Sequence, residues 1–314
     1  MKNFLRIQGR HKMLKRNEPN PCSSQGRLLR GVEDFAPLPS VAMRVMSLVA
    51  DPDTCAADLE SVLQGDVALV AAVLKLANSA FYGLRRQIDS LKHALLLLGK
   101  NEVQSIVLSQ VLFQAFKVPD GEQKEIMVNV WKHSLECALA AECVADQCGD
   151  DGSVYFLGGM LHDIGKLVIV QKFLKEFEDL DHYGKLVELD SFEIELERLG
   201  CGHDELGSQL LNRWMFPVQL VQMVREHHDY STIAECDRSS QIMILGNLLC
   251  KWRSLKDQDE PNKLEKEEAA FLSLLMDCGV DSNLIPDEEA LSGLENAFRQ
   301  RLEERAELLE MLQM

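Results

Sequence analysis

Gly158 to Val170 read GGMLHDIGKLVIV, a His162-Asp163 pair set between glycines inside an otherwise apolar run. On a helix of about 3.6 residues per turn, neighbouring side chains splay by about 100°, so both members of the pair can reach one centre lying between them. Lys166, three residues after Asp163 and four after His162, shares that side. A hard carboxylate with imidazoles suits a divalent ion such as Mn, Fe, Mg or Zn, and a nearby lysine suits a phosphate oxygen. The same residues also permit an ion pair, with the Lys166 ammonium on Asp163 in place of a metal's charge.

Five of the eight histidines stand where they could converge. His133 lies in WKHSLECAL, His162 in the glycine-flanked segment, His203 at the start of HDELGSQLL, and His227 with His228 in REHHDY. His203 falls at an expected helix N-terminus. The His227-His228 pair ends an amphipathic helix carrying Leu220, Val221 and Val224, where the helix dipole favours partial positive charge. Each histidine alone fits an ordinary structural role; the set is harder to explain without a ligand. Gly158, Gly159 and Gly165 each cost a helix about 1 kcal/mol relative to Ala unless something must approach the backbone closely. A second helix bearing another ligand is the natural candidate.

The elements that must position these residues are helical. From Phe35 onward the apolar spacing is three and four, and no run alternates long enough to suggest a sheet, so the expected fold class is all-α. Ser40 is placed to cap a helix that Asp51-Pro52 ends; others carry Leu59 to Leu63, Leu69 to Ala77, and SLKHALLLL up to Gly99, with NSAFYG breaking the chain between the last two. Asn101 is placed to start a helix reaching Phe116. Val118-Pro119-Asp120-Gly121 is a turn cluster. Beyond it, helices are expected over about 126–145, 154–173, 188–199, 204–214, 217–228 and 238–252. A polar linker, SLKDQDEPNKLEKEE, follows Trp252, and a Leu stripe from Leu291 to Leu312 could be a dimer seam or could pack on its own domain. The expected organisation is a basic, poorly ordered tail at 1–32, a helical bundle at 33–118, a second helical half at 119–255, and a linker with C-terminal helices at 256–314.

Composition narrows the function classes. Apolar residues make up 46% and aromatic ones 6%, which suits a core of Leu, Val, Ala and Met. Nine scattered cysteines without a CxxC pair argue against a disulfide framework or a zinc ribbon. The net charge is −17, yet residues 1–30 carry eight Lys or Arg against the single acid Glu18, leaving −24 for the rest. Such an acidic body repels nucleic acid. No apolar stretch approaches the roughly 18 residues of a membrane span, and no signal-like segment opens the chain, so a cytoplasmic protein is expected.

From Leu38 to Asp229 the chain resembles an HDOD domain, the HD-related output domain of bacterial signalling proteins. The resemblance is carried in order by LPSVAMRVMSLVADPD, LQGDVALVAAVLKLANSAFYG, IDSLKHALLLLGKNEVQSIVL, WKHS, GGMLHDIGK, HDELGSQLLNRWMFP and VREHH, about 190 of 314 residues. It implies an all-helical fold related to HD-superfamily phosphohydrolases and used mostly as an output or interaction module. Related HD-GYP domains hydrolyse cyclic dinucleotides at a centre of two or three metals. The HD pattern H…HD…D would place ligands at His133, His162 and Asp163; the further HD-GYP histidines would fall on His203, His227 and His228, and the motif lysine on Lys166. The pattern is broken twice: DYSTIAECD follows the His-His pair where a GYP segment is expected, and Asn247 stands where the terminal aspartate is expected. An amide is a weaker, neutral ligand, so a nucleophilic water is harder to hold and ionise. The expectation is therefore a signalling module acting through other signalling proteins or a second copy, without catalysis and with either no cofactor or a divalent metal. The alternatives are a metal-dependent phosphodiesterase and a site that senses metal or nucleotide without turnover.

Overall fold

The computed structural model describes residues 30–78, 86–116, 122–172, 191–256 and 288–305, and every regular element among them is helical. The described residues fall into two compact units: one takes its members from 1–35 and 121–298, the other from 36–120 and 299–314.

The second unit holds α1 (Ser40–Ala50), α2 (Ala56–Leu63), α3 (Val67–Ala77) and α4 (Leu91–Ala115). Pro39, not Ser40, is the N-cap of α1: proline's fixed φ, here −52°, brings the chain in extended, and Ser40 becomes the first helical residue. Asp66 caps α3 as its carboxylate accepts from the backbone N–H groups of Ala68 and Leu69. The expected stop at Gly99 is a kink within α4, where φ of 76° is open to glycine and helix resumes at once. Asn78 ties the end of α3 to Ile88, ten residues further on. Its side chain accepts from Ile88 N at 2.6 Å and donates to Ile88 O at 2.7 Å, while residues 79–85 lie outside the described set. Val45, Leu63, Leu69, Val73, Val107 and Leu112 form the core that these helices bury.

The first unit holds α5 (Glu122–Gln147), α6 (Gly152–Leu161), α7 (Ile164–Lys172), α8 (Ser191–Leu199), α9 (His203–Arg213), α10 (Val218–Glu226), a 3-10 turn (Tyr230–Glu235), α11 (Arg238–Lys256) and α12 (Glu288–Glu304) up to Phe298. The expected single helix over 154–173 is divided, with His162 and Asp163 forming the turn between α6 and α7. Glycines mark where helices meet. A β-carbon on Gly159 would run into the backbone of Ala138 on α5, one on Gly165 into the carbonyl of His203 on α9, and one on Gly246 would lie 2.6 Å from Ala141 Cα. Two of these contacts press the HD segment against the helices bearing His133 and His203, as the glycine spacing suggested.

Taken together, Gly152–Lys172 is long and apolar enough to cross a membrane by length and composition, contrary to the expectation that no stretch approaches that length. Of its most apolar window, 89% is buried, and it carries His162, Asp163 and Lys166, so it is a core element here. The expected basic tail lies outside the described residues up to 29, but Arg30 to Val32 are helical and Val32 is buried. Helix α11 runs on to Lys256, past the expected start of the polar linker, whose remainder lies outside the described residues, as do 117–121 and 306–314. On α12, Leu294 and Phe298 are buried, and the Arg253 guanidinium sits 5.6 Å over the Phe298 ring. The seven described cysteines are all free thiols.

Candidate metal centre

Three helices and a turn bring the expected ligands together. Helix α5 supplies His133, the α6–α7 turn supplies His162 and Asp163, α9 opens on His203, and the end of α10 supplies His227 with His228 next to it. Two triads result, His133/His162/Asp163 and His203/His227/His228, each with its ligand atoms within 4.8 Å of one another. Asp163 joins them. Its Oδ2 lies 3.4 Å from His162 Nε2 and 3.8 Å from His133 Nε2, while its Oδ1 lies 3.0 Å from His203 Nε2 and 3.8 Å from His227 Nε2. The broken helix thus delivers the convergence that a continuous one was expected to give. Lys166 also pairs with Asp163, its Nζ donating to Oδ2 at 2.7 Å.

The imidazoles are oriented from behind. Nδ1–H of His162 donates to Gly159 O at 2.7 Å, and that of His227 to Val224 O at 2.7 Å. Either bond leaves Nε2 as a lone pair turned inward, the arrangement seen behind metal-bound histidines. His162 Nε2 is buried and has no hydrogen-bond partner. His203 Nε2 stands 3.2 Å from His227 Nε2 and 3.0 Å from His228 Nε2. Lone pairs at such separations repel unless a proton or a metal ion lies among them.

Burial sets the charges. It pushes His133, His227 and His228 well below the ordinary histidine range and His162 down to about 4, so these four are neutral near pH 7. Burial also opposes ionisation of Asp163, but His162, Lys166 and His203 outweigh it and hold the carboxyl well below its usual range. His203 moves the other way, to about 9, because Glu195 and Asp163 overcome its desolvation. A buried, nitrogen-rich set with one ionised carboxylate fits Zn, Fe or Mn better than Mg, which prefers oxygen ligands. His133 is the most open member, with 20% of its side chain exposed.

Asn247 is buried on α11. Its Nδ2 lies 3.5 Å from the Tyr230 hydroxyl, and the Tyr230 ring stands edge-on to His228. Lys251 Nζ donates to the same hydroxyl at 3.3 Å, and Cys250 Sγ lies 3.7 Å from His133 Nδ1. Sequence reasoning missed Glu195, whose Oε2 accepts from His203 Nδ1 at 2.6 Å and from the His203 backbone N–H at 2.7 Å. Its signal was available: Phe192, Glu195 and Leu199 share one helix face, so Glu195 is an acid on the side where apolar residues stand.

Comparison with known proteins agrees with this architecture. A protein from Treponema pallidum (strain Nichols), described only as uncharacterized, is 24% identical over 200 residues, which is 63% of this chain and 38% of the relative. The chain thus spans well under half the length of that curated relative. Among solved structures, a candidate phosphohydrolase from Shewanella amazonensis SB2B is 21% identical, with a TM-score of 0.69 over 92% of this chain and 98% of its own. An HDOD domain protein of unknown function from Geobacter sulfurreducens is 22% identical, with a TM-score of 0.62 over 92% and 97%. These likenesses establish a shared fold. The family model described as HDOD domain matches residues 35–230, well over half of the sequence, and the chain belongs to the HDOD domain family.

Proposed function

We propose that this protein is a signal-transduction module whose HD-type centre holds a divalent transition metal without turning over a substrate, and which acts by engaging other signalling proteins. The observation that carries the proposal is the convergence of five imidazoles and Asp163 in one largely buried cluster, with the His162 and His227 ring nitrogens aimed inward by backbone carbonyls. A bound metal would supply Lewis acidity; the chain's own residues are arranged to hold it. Three features favour holding over turnover. Asp163 is engaged by Lys166, leaving that ammonium on a carboxylate instead of a phosphate. The His162, Asp163, His203 and His227 side chains are at most 2% exposed, so substrate and water have little access. Asn247 brings an amide where the HD pattern implies a carboxylate.

Elemental analysis of protein purified without a histidine tag tests the proposal. About one or more transition metals per chain, lost in His162→Ala, are expected; a metal-free parent that also fails to take up added Zn, Fe or Mn would refute it. The second reading, a metal-dependent phosphodiesterase acting on a nucleotide or cyclic dinucleotide, is favoured by Lys166 lying against Asp163 in a cluster that keeps all six ligand positions. Turnover of a cyclic dinucleotide panel by the Mn- or Fe-loaded protein, abolished in Asp163→Ala, would replace the first reading with the second.

A further inference from the structure

Helix α8 touches the three-histidine half of the centre twice. The Phe192 ring stacks on His228, with centroids 4.3 Å apart and planes 20° from parallel, and meets His203 edge-on at 5.8 Å. One turn later, Glu195 Oε2 accepts from both the ring Nδ1 and the backbone N–H of His203. Gly202 lets the chain turn from α8 into α9 at this spot, because a β-carbon there would collide with the Phe192 ring. Glu195 is 1% exposed, and its Oε1 is buried with no hydrogen-bond partner. A carboxylate carried into the interior at this cost is held there by its two hydrogen bonds from His203.

We infer that Glu195 is a positioning residue for the metal, holding His203 in the tautomer and orientation that present Nε2 to the centre, and that α8 is the element whose docking is coupled to metal occupancy. The inference rests on the reading that the cluster holds a divalent metal. By accepting Nδ1–H, Glu195 fixes which ring nitrogen stays available and raises its basicity. Phe192 sets the plane of the second ligand ring, so two of the three imidazoles in this half depend on one short helix. Coupling of this kind is reciprocal: if docked α8 favours the metal, the metal must favour docked α8. The opposite side of α8 presents Glu193, Leu196, Glu197 and Arg198 to solvent, which is the surface that metal occupancy would order.

Cobalt(II) titration of the metal-free full chain tests this, read by the visible ligand-field spectrum and by competition with a chelator. Glu195→Ala is expected to weaken Co(II) binding by about 10- to 100-fold and to alter the visible bands. Glu195→Gln, which keeps the size and an oxygen for Nδ1–H without the charge, should fall between variant and parent. Glu193→Ala, exposed on the same helix, should bind as the parent does. In hydrogen exchange, amides of α8 should gain protection when Co(II) is added to the parent and gain less in Glu195→Gln. Parental affinity and spectrum in Glu195→Ala, or α8 exchange indifferent to Co(II), would overturn the inference while leaving the metal centre standing. Should Glu195→Ala lose its helical circular dichroism, Glu195→Gln decides, and parental affinity and α8 exchange there are equally fatal. A parent that takes up no Co(II) removes the metal-centre reading and this inference with it.

Discussion

Asp163 carries a heavy electrostatic burden, since one buried carboxylate faces an ammonium and four imidazoles within 4 Å. Removing it takes away the carboxylate that Lys166 pairs with in the interior, so Asp163→Ala should cost about 3–5 kcal/mol of stability in urea denaturation. The gentler probe is position 247. Asn247→Asp restores the carboxylate that the HD pattern implies, and chelator competition should show retention of added Mn or Zn tightened by tenfold or more. Protons act on the same residues. His133, His162, His227 and His228 have folded-state pKa values below their ordinary range, so the unfolded chain binds more protons in acid. The stability they contribute is complete above about pH 6.5 and is lost as pH falls below that, for His162 through about 4. His203, raised to about 9, contributes stability that is complete below about pH 6.5 and is lost as pH rises through 9. The metal-free protein should therefore show its highest Tm near neutrality, with the steeper fall on the acid side, where four groups act against one. A Tm that is flat from pH 7 to pH 5 would contradict the burial of these rings.

Glycine placement governs how the helices present these residues. Gly159 and Gly165 lie where β-carbons would meet the backbones of Ala138 and His203, and backbone cannot swing aside as a flexible side chain can. Gly165→Ala should force α7 away from α9, cost at least about 1–3 kcal/mol, and weaken metal retention because His203 moves with its helix. Gly293→Ala on α12 meets nothing within 4 Å and should stabilise by up to about 1 kcal/mol through helix propensity alone. Thermal melts of the two variants against the parent separate close packing from propensity. The Gly158 neighbour is different in kind: Met223 Sδ at 2.8 Å is the end of a flexible side chain, so Gly158→Ala should be tolerated better than Gly165→Ala.

For the molecule as a whole, a metal that binds only the folded state stabilises it by mass action. Free metal at 100 times Kd should add about 2.7 kcal/mol, visible as a rise in Tm that depends on metal concentration and is reversed by chelator. The effect should be absent in His162→Ala. Since α5, the α6–α7 turn, α9 and the end of α10 each contribute a residue to the cluster, ligation links most helices of the first unit, and its unfolding should become more cooperative with metal bound. Differential scanning calorimetry checks this as a narrower transition.

The sequence alone determined what local chemistry determines. Spacing of three and four marks the helices because it is settled within a few residues. The five histidines and Asp163 were legible because their residue types stand in recognisable surroundings, and the HDOD resemblance followed from the same segments. Tertiary structure decided the rest. Whether His162 and Asp163 lie within a helix or in a turn depends on α5 and α9 pressing on Gly159 and Gly165, contacts made by residues distant in sequence. Glu195 looks like one of several acids in SFEIELERL until the fold buries it against His203, because the value of a carboxylate is set by the charges and solvent around it. The apolar Gly152–Lys172 segment likewise becomes a core helix pair only when its neighbours cover it, since hydropathy records what a segment avoids and not what it packs against.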